Sequence, residues 1–173
     1  IYTPLTNKSR FTPLPPSITA LSVSAQHLIT LEDWLPTALK TLYLYLPGRW
    51  DSKLPVSWLS SLPPTLEILH VSESLSDDHV VPLKSLTALT ELHLGIFAKE
   101  NLLSVKCLEN IPKSVTNLKL SFAELNTEDI PLFPQGLRCF SLLNSDSVSP
   151  PLGCLSDWFQ KLPPRLHTFE VPI

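Results

Sequence analysis

The chain has 173 residues, a formal net charge of -3, 43% hydrophobic residues and 17% charged residues. This composition is sufficient for the core of one domain and too apolar for a disordered chain. It contains no basic stripe of the kind that a nucleic-acid partner requires, and no apolar run long enough for membrane insertion.

The cysteines indicate a reducing environment. Cys107, Cys139 and Cys154 are odd in number and form no CxxC pair, so neither a disulfide framework nor a zinc site is expected from them. We therefore expect a cytoplasmic protein and assign it no cofactor. Secretion is the alternative, because the chain starts at Ile1 without Met and a processed leader would leave such a start.

Prolines divide the chain into regular segments. Residues 1–13 precede these segments, and we interpret them as an N-terminal extension or partial cap. The chain has 18 prolines and only 4 glycines. This indicates rigid residues that end one segment and start the next, and not a flexible linker. Seven segments share the pattern L-P-x-x-L-x-x-L-x-L, in which L is any bulky apolar residue; they cover residues 14–23, 35–44, 62–71, 86–94, 111–120, 133–142 and 162–171. The fourth segment lacks the proline.

The spacing of these segments predicts a solenoid. Their penultimate apolar residues stand at positions 21, 42, 69, 92, 118, 140 and 169, and the steps lie in the range of about 20–29 residues that is typical of leucine-rich repeats. Each L-x-L end has a period of two, which predicts a short strand with one apolar face. Because one such strand cannot bury that face, the copies should stack in parallel around a shared core. We expect an α/β solenoid over residues 14–173, with a parallel sheet on its concave face.

The segments between the strands are predicted to return over the convex face as short helical or 3₁₀ turns. Val80–Leu86 and Leu103–Asn110 are expected to form such turns. Several returns contain a tryptophan, which should fill the core between sheet and returns, the alternative being a platform for a ligand: Trp34, Trp58 and Trp158. We interpret the Asp77-Asp78-His79 run as a solvated loop that caps a turn.

The repeated segments resemble the leucine-rich-repeat superfamily across residues 14–171. Ile111-Pro112-Lys113-Ser114-Val115-Thr116-Asn117-Leu118-Lys119-Leu120 is similar to the FNIP repeat, whose core is I-P-x-S-V-T-x-L-x-L, although the phenylalanine–asparagine pair that names that repeat is absent. The L-P-x-x-L-x-x-L-x-V phrase also resembles the repeats of bacterial effector ubiquitin ligases. The asparagine that most leucine-rich repeats place three residues beyond L-x-L is replaced, so we expect less regular turns at Gln26, Pro47, Ser74, Phe97, Ala123 and Ser145. The resemblance implies a recognition scaffold.

Residues that flank the apolar pair of each strand are expected to point onto the concave face. Because neighbouring strands lie about 4.8 Å apart, residues in one column on successive repeats should touch. The column that follows the apolar pair should place Ser72 and Gly95 on this face. We predict a protein-binding patch, rich in aromatic and titratable groups, formed by Tyr43, Tyr45, Ile68, His70, Glu91, His93, Asn117 and Lys119. The alternative is an idle polar face, with the true site on loops or on further repeats.

Two sharper roles are open for the neighbouring His70 and His93. They could share a metal ion with Glu91 as a third ligand, or they could repel each other when both are protonated and make binding depend on pH. A metal site usually needs three or four ligands with supporting partners. On the sequence alone we therefore assign no metal ligand.

No catalytic signature is present. The chain has no G-x-S-x-G, no Gly-rich phosphate loop, no H-E-x-x-H and no acidic metal cluster, so we predict a non-catalytic scaffold that binds a protein partner. The alternative is the substrate-recognition part of a larger enzyme, such as a ubiquitin ligase. Because a solenoid needs its open ends covered, we also expect further repeats or another chain at the C-terminal edge, after Ile173.

Overall fold

The structure, a computed structural model, describes residues 14–24, 35–45, 56–72, 75–95, 103–120, 133–142, 160 and 162–170. Within these ranges seven strands form one parallel sheet whose spatial order is the order in the chain. The strands are β1 (Ala20–Ser24), β2 (Thr41–Tyr45), β3 (Ile68–Val71), β4 (Glu91–Leu94), β5 (Asn117–Leu120), β6 (Cys139–Leu142) and β7 (Thr168–Glu170). The expected parallel stack of L-x-L strands is confirmed.

The register of the sheet aligns the penultimate apolar residue of each repeat with that of the next. Leu42 pairs with Leu21 on one side and with Leu69 on the other, and the alignment continues through Leu92, Leu118, Phe140 and Phe169. From β2 to β6 the two apolar side chains of each strand are buried in one continuous core. Full burial of a leucine stabilises the fold by about 1.5–3 kcal/mol, so this double row contributes substantially to stability.

A turn before each strand explains the recurring proline. In the described repeats that contain it, the proline carbonyl accepts a hydrogen bond from the N–H of the apolar residue three positions later, as Pro36 does from Leu39 at 3.1 Å. In the fourth repeat Leu86 stands in place of proline and accepts in the same way from Leu89 at 3.0 Å. Proline is compatible with this position because the turn uses its carbonyl and needs no N–H from it.

The amides that follow the turn attach each repeat to the preceding one. Lys40 N–H and Thr41 N–H both donate to the carbonyl of Thr19, at 2.8 and 3.0 Å. In the same way, one carbonyl accepts from two consecutive N–H groups of the next repeat at Lys40, Glu67, Thr90, Thr116 and Arg138. Each strand therefore begins at a fixed place relative to the strand before it.

The described returns are short helices that pack against one another. 3₁₀ helices span Val56–Ser61, Val81–Ser85 and Val105–Asn110, and a single-turn helix, α1, spans Asp77–Val80. The helical turns expected within residues 80–86 and 103–110 are thus confirmed. Among the described residues, no helix has both the length and the apolar character needed to cross a membrane.

Trp58 is 1% exposed and belongs to the core, so its expected role as a core residue is confirmed. Its indole Nε1 has no hydrogen-bond partner among the described residues. Trp34, Trp158, residues 1–13 and the positions expected to form less regular turns lie outside the described residues.

Candidate functional site

The predicted patch lies on the side of the sheet that faces away from the core, here called the open face; in a leucine-rich-repeat solenoid this is the concave side. Tyr45 is 42% exposed, whereas most of the other members are half-buried: Tyr43, Ile68, His70, Glu91, Asn117 and Lys119. His93 lies on the same face, stacked on His70, but it is only 7% exposed. It is flanked by the side chains of the neighbouring strands and offers little contact area of its own.

A row of aromatic and imidazole rings crosses β2, β3 and β4 on the open face. The rings of Tyr43 and Tyr45 are almost parallel, with centroids 6.4 Å apart. Tyr43 meets His70 edge to face at 4.6 Å, and His70 stacks on His93 at 3.7 Å. The strand register makes this row, because Tyr43 pairs with His70 and His70 with His93. The expected contact between residues of one column is therefore present here.

Glu91 joins the two histidines through a diagonal contact. In the register Glu91 lies opposite Ile68, yet its Oε1 is 2.8 Å from Nε2 of His70, and that N–H donates to the carboxylate. The same oxygen is 3.4 Å from Nε2 of His93. This second pair does not have hydrogen-bond geometry, and Nε2 of His93 has no hydrogen-bond partner among the described residues. The three side chains form a compact group, the His–Glu–His cluster (His70, Glu91, His93).

The surroundings of His93 disfavour its protonated form. The pKa of His93 is lowered from 6.5 to about 4, chiefly by burial and also by the neighbouring His70 and Lys119, whereas Glu91 acts in the opposite direction. Removal from water is the largest of these causes, since a charged imidazolium loses hydration when it is covered. At neutral pH His93 is therefore an uncharged imidazole.

Two strands end one residue before the positions that were predicted to lie on the binding face. β3 ends at Val71 and β4 at Leu94, so Ser72 and Gly95 lie beyond the strands, and both are buried. Ser72 donates to the carbonyl of Leu44 through both its N–H and its hydroxyl, each at 3.0 Å. Gly95 has a φ of 74°, a conformation that favours glycine. Their expected place on the binding face is wrong, because both residues are buried just beyond the end of their strand.

The Asp77-Asp78-His79 run is also corrected by the structure. It forms most of α1, and His79 is buried, with Nδ1 accepting from Ser76 N–H at 3.2 Å. Only Asp78 is exposed. Asp77 accepts from Ser104 in the next repeat, so the run connects two returns and is not a solvated loop. Sequence reasoning missed this link because the two residues are 27 positions apart.

Comparison with known proteins identifies the architecture. No protein-family model and no curated protein sequence matches the chain. Among solved structures, the chain is similar to the crystal structure of the leucine-rich-repeat-containing protein LegL7 from Legionella pneumophila, with a TM-score of 0.57 and 19% sequence identity over 90% of the chain. The chain spans 57% of the length of that protein. The parallel sheet, its one-sided core and this structural similarity together show that the chain has the leucine-rich-repeat fold.

Proposed function

We propose that the chain is a repeat scaffold that binds a protein partner through its open face, and that Tyr43 and Tyr45 are the main anchors. The observation that carries this proposal is the pair of nearly parallel tyrosine rings beside His70, of which Tyr45 is exposed and Tyr43 half-buried. Tyrosine buries a large area on binding at a small cost in side-chain entropy, and it is enriched among residues that dominate binding energy.

The neighbourhood of the two tyrosines supports a protein partner. Tyr43 is held in one orientation by the edge contact with His70, so little further ordering is needed when a partner covers it. Ile68, in the adjacent column of β3, adds apolar area, whereas Glu91 and Lys119 supply one charge of each sign. A surface of this kind suits the mixed aromatic, polar and charged contacts of protein interfaces.

Paired variants on opposite sides of the core test the proposal. The open-face variant is Tyr43→Ala with Tyr45→Ala, and the matched control is Val81→Ala with Lys84→Ala, since both control residues are exposed on a return. Proteins that co-purify with the unmodified chain are identified, purified and titrated against the three forms by calorimetry. We expect the open-face variant to bind at least about ten-fold more weakly, because truncation of anchor residues costs about 2 kcal/mol or more and about 1.4 kcal/mol already corresponds to ten-fold.

The control decides which face of the scaffold is used. Binding by the Val81/Lys84 variant should equal that of the unmodified chain. A partner whose affinity falls with the return variant and not with the tyrosine variant would place recognition on the returns, and the proposal would be wrong. Far-UV circular dichroism of each form shows that the sheet is intact.

A further inference from the structure

We propose that the His–Glu–His cluster is a binding site for a divalent metal ion of the zinc type, with His70 Nε2, Glu91 Oε1 and His93 Nε2 as the protein ligands. This site goes beyond the scaffold function, because it assigns a chemical ligand to three residues of the open face. Imidazole nitrogens and carboxylate oxygens are ligands that Zn²⁺ takes in proteins, and two His with one Glu is a known ligand set.

The three ligand atoms are close enough together to hold such an ion once the imidazole rings have rotated. The three ligand atoms all lie within 4.8 Å of one another. In a tetrahedral zinc site with bonds of about 2.0–2.2 Å, ligand atoms are roughly 3.4 Å apart. The separation of His93 Nε2 from Glu91 Oε1 is 3.4 Å. The separation of His70 Nε2 from the same oxygen is 2.8 Å, a hydrogen-bond distance that the ion would lengthen as it replaces the proton between them.

His93 provides the second, independent observation. Its Nε2 is buried, lies 3.4 Å from Oε1 of Glu91 and has no hydrogen-bond partner among the described residues. A buried polar atom without a partner costs free energy, and such an atom usually has an unseen partner or a functional role. A metal ion seated between the three side chains would satisfy this nitrogen.

The charges around the cluster partly oppose each other. Glu91 on β4 attracts a cation, whereas Lys119 lies opposite His93 on β5 and repels one. Tyr43 on β2 holds the ring of His70 by its edge contact. Three protein ligands would leave one coordination position for water or for a side chain of a partner.

The stacking of the two imidazole rings must be broken before both can bind one metal ion. The planes of His70 and His93 are 19° apart. Because each Nε2 lone pair lies in its own ring plane, the two lone pairs lie in nearly parallel planes and cannot converge on one ion without rotation of the rings. Metal binding must therefore unstack the two imidazoles. A change in the ring signals of both histidines is the expected mark of binding, and it is independent of any partner.

Titration of the chelator-treated chain with ZnCl₂ tests the proposal. We expect one ion per chain by calorimetry, and titration with Co²⁺ should give the visible absorption bands of a four-coordinate site. Two-dimensional ¹H–¹⁵N spectra of the imidazoles should show His70 and His93 shifting together. Glu91→Gln should weaken Zn²⁺ binding about ten-fold or more, since altering even the supporting partners of a metal site typically costs 10–100-fold.

Three variants separate this site from other metal-binding groups. His93→Gln and Glu91→Gln both remove a ligand, and the Glu91 variant decides the question if the buried His93 variant does not fold. His167→Gln, at an exposed position before β7, is the matched control and should bind as the unmodified chain does. Absence of a one-to-one complex, or equal affinity in the Glu91→Gln form, would overturn the proposal.

Discussion

The carboxylate of Asp77 accepts two hydrogen bonds from Ser104, one from the backbone N–H at 2.8 Å and one from the hydroxyl at 2.5 Å. Asp77 begins α1, and Ser104 is the residue before the 3₁₀ helix Val105–Asn110, where its own Oγ accepts from Lys106 N–H. One acidic side chain thus holds together the returns of two successive repeats.

Replacement of Asp77 by alanine should lower the free energy of unfolding by about 1–3 kcal/mol, because two partly buried donors on Ser104 lose their acceptor. Asp78→Ala is the matched control, since the neighbouring carboxylate is exposed, and it should change stability by less than about 0.5 kcal/mol. Urea unfolding followed by circular dichroism gives both values. Equal effects of the two substitutions would show that the link is not stabilising.

The stability of the fold should depend on pH through His93. Its pKa is about 4 in the folded chain, below the ordinary histidine value of 6.5 that applies in the unfolded chain, so the unfolded chain binds a proton first as the pH falls. The stability that the uncharged His93 contributes is therefore complete well above pH 6.5 and is lost progressively as the pH falls toward 4. Between pH 7 and pH 5 the loss should be about 2 kcal/mol.

Urea unfolding at a series of pH values measures this dependence, and His93→Phe is the comparison. The variant should lose much less stability over the same interval, because the group that takes up the proton is gone. His70, Glu91 and Lys119 surround the site and are unchanged in this variant. An equally steep decrease in the His93→Phe form would assign the effect to other groups.

The thiol of Cys107 should be unreactive in the folded chain. It is fully buried, and burial together with the nearby Asp77 raises its pKa well above the usual range. Since the thiolate is the reactive form, iodoacetamide at pH 8 should alkylate the half-buried Cys139 at least about ten-fold faster than Cys107. Peptide mass spectrometry measures each site, and in urea the two rates should become similar. Fast alkylation of Cys107 under native conditions would show that the returns open readily.

Replacing a core leucine by alanine should destabilise an inner repeat more than the repeat that contains β1. Leu92 is fully buried on β4, which has paired strands on both sides, so Leu92→Ala should cost about 2–5 kcal/mol. Leu21 holds the same repeat position on β1, but it is only partly buried, and Leu21→Ala should cost less than half as much. Chemical unfolding of the two variants makes the comparison. Equal losses would contradict the additive behaviour expected of stacked repeats.

The L-x-L phrase predicted every strand of the sheet, because an alternating pair of apolar residues can be buried only on one face. The same phrase could not predict where a strand ends, and this is why Ser72 and Gly95 were misplaced. His93 is buried by side chains of the neighbouring strands β3 and β5. The repeat pattern predicts which face of the sheet a residue lies on, but not how far the neighbouring side chains cover it. The diagonal contact of Glu91 and the link from Asp77 to Ser104 likewise join residues that only the folded chain brings close.

The paired amides that donate to one carbonyl, as those of Lys40 and Thr41 do to Thr19, set the alignment at the first residue of each strand. The register between each strand and the one before it is therefore set again in every repeat. It does not depend on how many residues the preceding return contains. Insertions and deletions between Tyr45 and the next proline turn can thus accumulate during evolution without shifting any side chain from one face to the other. Unequal repeat lengths are, in this architecture, compatible with an evenly spaced recognition surface.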